Sequence, residues 1–384
     1  MASLHKLILE AGEHDRCQCP VTVHIPDKGL NGGQYRLKDE KSGKIIFCQM
    51  ESDHTGVWLS WLVQGLKTGC RQTLLVEKTS LPSPSLVSVN KYQEKGRVDI
   101  QVHGGLFTSY NYDSKWVRPF LYPVLGPYGV QVTRNWPMKR SRGEHQDHPH
   151  HKSIWVAYGD CDGVDNWSED PGHGTQQHQK FLRVEAGPVF GRIEALNHWC
   201  DAKGKVQFKE NREIRIYALS GGIRLFDVTI AFKMTESGVT FRDTKEGGLI
   251  SIRVASSMDV RNGGRIENGF GGVQEAETWG KPAVWCDYSG QVSGRKVGVA
   301  VFDHPCNPRF PTGWHVRDYG LMTANCFAWK HYAPDANIKG DMKFRKGQVV
   351  TWRYRLYIHK GNAQQGKVSS RYLDFFAPPK VKVD

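Results

Sequence analysis

The sequence predicts an all-β protein, a large β-sandwich, on three observations. Apolar residues recur with period two: QVVTWRYRLYIHK sets Val350, Trp352, Tyr354, Leu356 and Ile358 on one face and Thr351, Arg353, Arg355 and Tyr357 on the other. That is the pattern of a half-buried strand. Gly-rich turns such as Ser220-Gly221-Gly222 and Asn262-Gly263-Gly264 separate such runs. No segment long enough for an ordinary helix holds a 3.6-residue apolar period.

The elements follow in order. Residues 1–80 read as a small N-terminal β-rich module containing VTVHI and the aromatic run VWLSWLV. Pro82 and Pro84 in SLPSPSLVSV favour extended chain and mark a linker. The main sandwich spans residues 90–362. In it RVDIQVH and LISIRVASSM alternate, whereas RLFDVTIAF and KVGVAVF read as more deeply buried strands. Residues 363–384 form a C-terminal tail.

Composition narrows the function. A net charge of +13 raises a nucleic-acid reading, but the only compact basic run is Lys139-Arg140-Ser141-Arg142 and no recognition motif accompanies it. Nucleic acid is therefore disfavoured, and an anionic sugar would use the same charge. Nine scattered cysteines with no Cys-x2-Cys spacing read as reduced thiols. The N-terminus lacks a signal-peptide pattern, and no apolar run suffices for a membrane helix. A cytoplasmic protein is expected, its oligomeric state open.

Chemistry-bearing residues cluster in a few places. EHQDHPHHKSIW packs His145, His148, His150 and His151 around Glu144 and Asp147. An extended chain would turn His148 and His150 to one side, as a divalent metal site requires, with His151 opposite. Proton transfer and a solvated turn are the other readings, because the glutamate of a cupin-type site is missing and Pro149 excludes a central strand. No cofactor is required; a divalent metal on His148, His150 and His151 is one reading. In WVAYGDCDGVDNW, Asp160, Asp162 and Asp165 precede Trp167, but position twelve of an EF-hand counted from Asp160 is Pro171. Acids beside an indole can instead grip a sugar. FRDTKEGGLISIRV places Arg242, Asp243, Lys245 and Glu246 just before a strand, with Asp243 and Glu246 as an acid–base pair or the group as a salt-bridged turn. Finally, VFDHPCNPRFPTGWHVRDYGLMTAN brings Asp303, His304, Trp314, His315, Arg317 and Tyr319 into a Pro-rich loop, and repeats the Asp-His-Pro of residues 147–149 at 303–305.

GEHDRCQCPV, RPFLYPVLGPYGVQVTRNWPM, DHPHHKSIWVAYGDCDGVDNW, WGKPAVWCDYSG and the two segments just quoted together resemble a bacterial family labelled methane oxygenase PmoA-like, over roughly residues 11–360. Where that family tends to Asn-Pro-Phe-Gly, this chain has Asn325-Cys326-Phe327-Ala328. The label describes an integral membrane subunit, which a chain without a membrane span does not match. The resemblance implies a galactose-mutarotase-like supersandwich whose sheet face binds a sugar while His with Glu or Asp transfers protons. The expected catalytic groups are His148, His150, Asp243, Glu246, His304 and His315. Arg118, Trp155, Asp162, Trp167, Trp285, Asp303, Trp314 and Arg317 are expected to hold the carbohydrate. A non-catalytic carbohydrate-binding protein and a metal-dependent oxygenase are the alternatives.

Overall fold

A computed structural model describes residues 4–26, 30, 33–235, 237–333 and 338–384. Of the described residues 51% are strand and 8% helix, so the all-β expectation holds. Three large antiparallel sheets carry it. The first orders strands Cys19–Ile25, Gly56–Val63, Ile45–Asp53, Gln34–Asp39, Arg71–Thr79, His5–Glu10 and Lys380–Val383. The last of these comes from the C-terminal segment, which thus returns to the N-terminal one.

The other two sheets form the sandwich. One runs Gly313–Val316, Leu321–Asn325, Gly247–Arg253, Ile154–Tyr158, Phe120–Val124, Gly105–Asn111, Arg97–Val102, Val87–Tyr92. Its partner runs Thr175–Glu185, Phe190–Cys200, Val206–Tyr217, Arg224–Met234, Val349–Lys360, Arg295–Asp303, Trp285–Val292, Arg265–Asn268. Alternation decides what fills the space between them. Ile154, Val156 and Tyr158 point into the shared core with Ile250, Ile252, Val350, Trp352, Tyr354 and Leu356. Burial of side chains of this size stabilises by about 1.5–3 kcal/mol each.

Val349–Lys360 departs from the half-buried expectation. From Arg355 onward its second face is also covered, where helix Val368–Phe376 packs over it, while Arg353 stays exposed. Arg355 is buried there, paired with Asp227 at 2.6 Å and lying over the Phe375 ring. An alternating strand can be buried on both faces when its polar side finds charges of its own. All nine cysteines are unpaired, and no helix among the described residues is long and apolar enough to cross a membrane.

Candidate functional site

A cavity of about 580 Å³ opens on the outer face of the sheet containing Ile154–Tyr158. There Trp155 and Ala157 turn away from the sandwich core and pack with Phe120, Trp167 and Leu321 in a cluster of their own. Four connections wall the cavity: residues 134–153, 159–174, 242–246 and 317–320. Gly159 permits the second and third to meet, since its N–H donates to the Glu246 carbonyl at 3.0 Å where a Cβ would lie 2.6 Å from that oxygen. Of the residues singled out in sequence, His148, His150, His151, Trp167, Glu246, His315 and Arg317 converge on this cavity.

The histidine segment is a pinned turn, not an extended strand. Glu144 accepts the backbone N–H groups of Asn135 and Trp136 at 2.9 and 3.1 Å. The His151 N–H closes the turn on the His148 carbonyl at 3.0 Å, and His148 takes a left-handed φ of 44°. Buried Arg134 and Arg253 both hold the Asp147 carboxylate. Burial alone would raise the Asp147 pKa, yet His148, Arg253 and Arg134 hold it well below the usual carboxylate range.

This geometry corrects the metal reading of His148, His150 and His151. His148 stacks between His151 and Tyr319, at centroid distances of 4.7 and 5.1 Å, while His151 stacks on Trp155 at 5.3 Å. Among the described residues no group of three or more His, Cys, Asp or Glu side chains is arranged to hold a metal ion. The Nδ1 lone pair of His151 accepts from Arg253 at 3.0 Å, which leaves Nε2 as its other ring nitrogen.

Two imidazoles are instead locked in opposite tautomers. Arginine only donates, so His151 must accept at Nδ1 and carry its proton on Nε2. Burial first, then His150 and Arg253, hold its pKa well below normal. His315 is the converse: its Nδ1–H donates to the Lys245 carbonyl, leaving an Nε2 lone pair without a protein partner among the described residues. Burial pulls its pKa down to about 4. His150 is also neutral, drawn to about 3 by burial and by Arg118. The cavity therefore offers a fixed N–H donor and a fixed, unprotonated acceptor nitrogen at neutral pH.

The carboxylates divide in the same way. Asp165 is spent on its own turn, accepting from the Trp167 and Ser168 N–H groups at 2.7 and 3.0 Å. Asp160 accepts the Gly163 N–H at 2.7 Å. Glu246 is half-exposed and, among the described residues, its ion pair is with Lys245, at 3.5 Å. Arg317 lies 3.1 Å from Glu275 and over the Tyr319 ring.

The remaining expected site residues lie elsewhere. Trp155 is buried beneath His151, serving as its floor. Arg118 is buried behind the cavity, bonded to the His150 and Ser168 carbonyls and to Glu169. Asp162 accepts the Thr240 N–H at 3.1 Å, and Asp243 accepts those of Lys330 and Gly340 at 2.8 Å; both fasten turns. Trp285 and Trp314 belong to the sandwich core, the Trp314 indole donating to the Ala283 carbonyl at 2.9 Å. Asp303 is buried with Asn307 and Thr312, and His304 packs on Phe375. Sequence reasoning did not commit to Tyr319, Lys245, Ser168, Asp170 or Thr244, which line the cavity, nor to Arg253, which orients it. Arg253 had a signal: it is the charged outward residue ending the alternation of LISIRVASSM.

Fold and cavity define an all-β sandwich protein with a polar, histidine-lined site on one outer sheet face. The chain belongs to DUF6807, a family of unknown function, whose model matches residues 97–372. No curated protein matches the sequence. Among solved structures, an α-mannosidase from Enterococcus faecalis V583 is similar with a TM-score of 0.48 and 9% identity, over 99% of this chain and 46% of that one. The chain thus spans about half the length of that protein.

Proposed function

We propose that this chain is a carbohydrate-acting enzyme that works by general acid–base chemistry in the histidine-lined cavity, moving a proton on a sugar in an elimination or epimerisation. The observation that carries the reading is the pair of buried, neutral imidazoles fixed in opposite tautomers, His315 and His151. His315 takes the proton at Nε2. His151 donates from Nε2–H to the oxygen on which negative charge develops, and it stays neutral because Arg253 blocks its other nitrogen. Glu246, whose oxygens are not tied into a turn, acts in its protonated form. It gives its proton to the opposite face of the carbon in an epimerisation, or to the departing oxygen as the C–O bond breaks in an elimination. The proton held by His315 then passes to solvent while Glu246 regains one from it. Trp167 and Tyr319 add aromatic surface to the cavity lining, and the volume suits a small ligand. Arg317 and Lys245 extend the reading to uronates. The unpaired cysteines support a reducing compartment, the cytoplasm.

The test is a panel of free sugars, uronates and glycosides incubated in deuterated water and followed by NMR. Deuterium incorporation or a new double bond is expected, with His315→Ala slower by about 10²–10⁴-fold. No change in any sugar, or full activity in His315→Ala, would sink the assignment. Glycoside hydrolysis is the second reading, favoured by Glu246 and Asp170 lining one cavity; it would appear as new reducing ends without deuterium at carbon. Binding without turnover would leave a carbohydrate-binding protein.

A further inference from the structure

A second pocket, of about 270 Å³, lies on the other side of Arg118. Arg118 is its link to the main cavity: the two terminal nitrogens bond the carbonyls of His150 and Ser168, both cavity-lining residues, at 3.3 and 3.1 Å. The same side chain lines the second pocket together with Tyr112, Trp116, Gln177 and His178. Arg118 Nε and the Tyr112 hydroxyl are buried and make no hydrogen bond among the described residues. Such orphaned groups are destabilising unless something polar answers them.

The lining specifies what that is. His178 is neutral, its pKa drawn down to about 4 chiefly by burial, and its ring packs against Tyr112 and Phe181 at 4.6 and 4.3 Å. The charges are already answered within the protein: Arg118 pairs with Glu169 at 3.4 Å, and Asp113 with Lys115 at 3.4 Å. Amide, hydroxyl and neutral imidazole groups among aromatic rings suit an uncharged polyhydroxylated ring. A further hollow of about 480 Å³ shares Asp113 and Trp116 with this pocket, so the groove continues.

We propose that the Tyr112–Arg118–Gln177 pocket is a second sugar-binding subsite, so that the substrate is a neutral-backboned oligosaccharide and not a single sugar. This rests on the carbohydrate reading of the main cavity. The test uses the full chain, its Tyr112→Phe and Gln177→Ala variants, and trisaccharides of glucose, mannose, galactose and xylose beside the corresponding aryl monosaccharides. Tyr112→Phe deletes only the orphaned hydroxyl, and Gln177 is exposed on an edge strand, so neither change threatens folding. Where a sugar is turned over, the preference for chain length (kcat/KM on trisaccharide over monosaccharide) is expected to fall about three- to tenfold in each variant. An unchanged preference overturns the proposal. Where none is turned over, so that the catalytic reading fails, calorimetry still decides. Trisaccharide binding weakened about three- to tenfold in both variants supports the subsite. No binding to the full chain at about 10 mM, the result for a pocket holding only water, overturns it.

Discussion

Asp147-His148-Pro149 and Asp303-His304-Pro305 are the same tripeptide in two settings. Asp147 is half-exposed between two buried guanidinium groups, and they keep it ionised. Asp303 is fully buried with no cation in contact among the described residues; burial pushes its pKa up to about 7 despite hydrogen bonds from Asn307 and Thr312. His148 stacks in the cavity wall on Tyr319 and His151, whereas His304 leans on Phe375 of the C-terminal helix. Identical residues therefore serve a site in one place and a turn in the other. What separates them is the strand beneath. Outward-facing Arg253 and Trp155 receive the first copy, while the second follows a strand whose neighbours are core.

The sharpest way to break this comparison is to remove the charge at Asp147. Asp147→Asn leaves Arg134 and Arg253 buried without their shared counter-charge. A loss of about 2–3 kcal/mol is expected, below the value for a fully buried pair because Asp147 is half-exposed. Arg253 would also cease to hold His151, so activity of the folded fraction should drop on the order of a hundredfold. Urea unfolding and kcat on the same preparation would check both. Unaltered activity would detach the Asp147–Arg253 pair from the site.

Opposite pH slopes sharpen the contrast next. Asp303 has a raised folded pKa, so its contribution is fully present below the unfolded value of about 4 and is lost as pH rises through about 7. His315 has a depressed one, so its contribution is present above about 6.5 and is lost as pH falls towards about 4. Relative to wild type, Asp303→Asn should gain stability as pH rises through that window, and His315→Gln should gain it as pH falls. Each slope is up to about 1.4 kcal/mol per pH unit. Unfolding free energies at a few pH values, wild type against variant, isolate each group. Slopes of the same sign would show that one of the two environments is misassigned.

Period two read out the sandwich because burial acts on every second residue, and the site was legible to the extent that its residues are loop-borne and polar. His148, His150, Glu246 and Arg317 qualify, and they meet with Trp167 and with His315, which the strand Gly313–Val316 carries. Composition cannot tell a residue that faces the cavity from one that fastens a turn. Asp162 and Asp243 carry the same carboxyl as Glu246, but backbone N–H groups claim it. Spacing marks Arg253 as outward-facing, but its role depends on the register pairing its strand with Ile154–Tyr158, Ile252 opposite Ile154. Trp155 shows the same limit from the other side: it faces outward as alternation predicts, yet the histidine turn folds down over it and buries it.

The smallest effect is the most direct comparison, alanine at each histidine of the two tripeptides. His148→Ala removes the ring stacked between His151 and Tyr319, and activity should fall about tenfold, since a side chain that positions an acid–base group acts through small displacements. His304 accepts the Cys306 N–H at 3.1 Å and packs edge-on against Phe375 of the C-terminal helix. His304→Ala should leave activity unaltered and stability within about 0.5 kcal/mol, the usual range for a change away from core, caps and charge networks. Parallel kinetics and thermal melts on the two variants read the difference. Equal loss of activity from both would mean that the second tripeptide also reaches the reaction, and the cavity as drawn would have to extend through the core to the helix Val368–Phe376, which the packing of Phe302, Tyr357 and Tyr372 between them opposes.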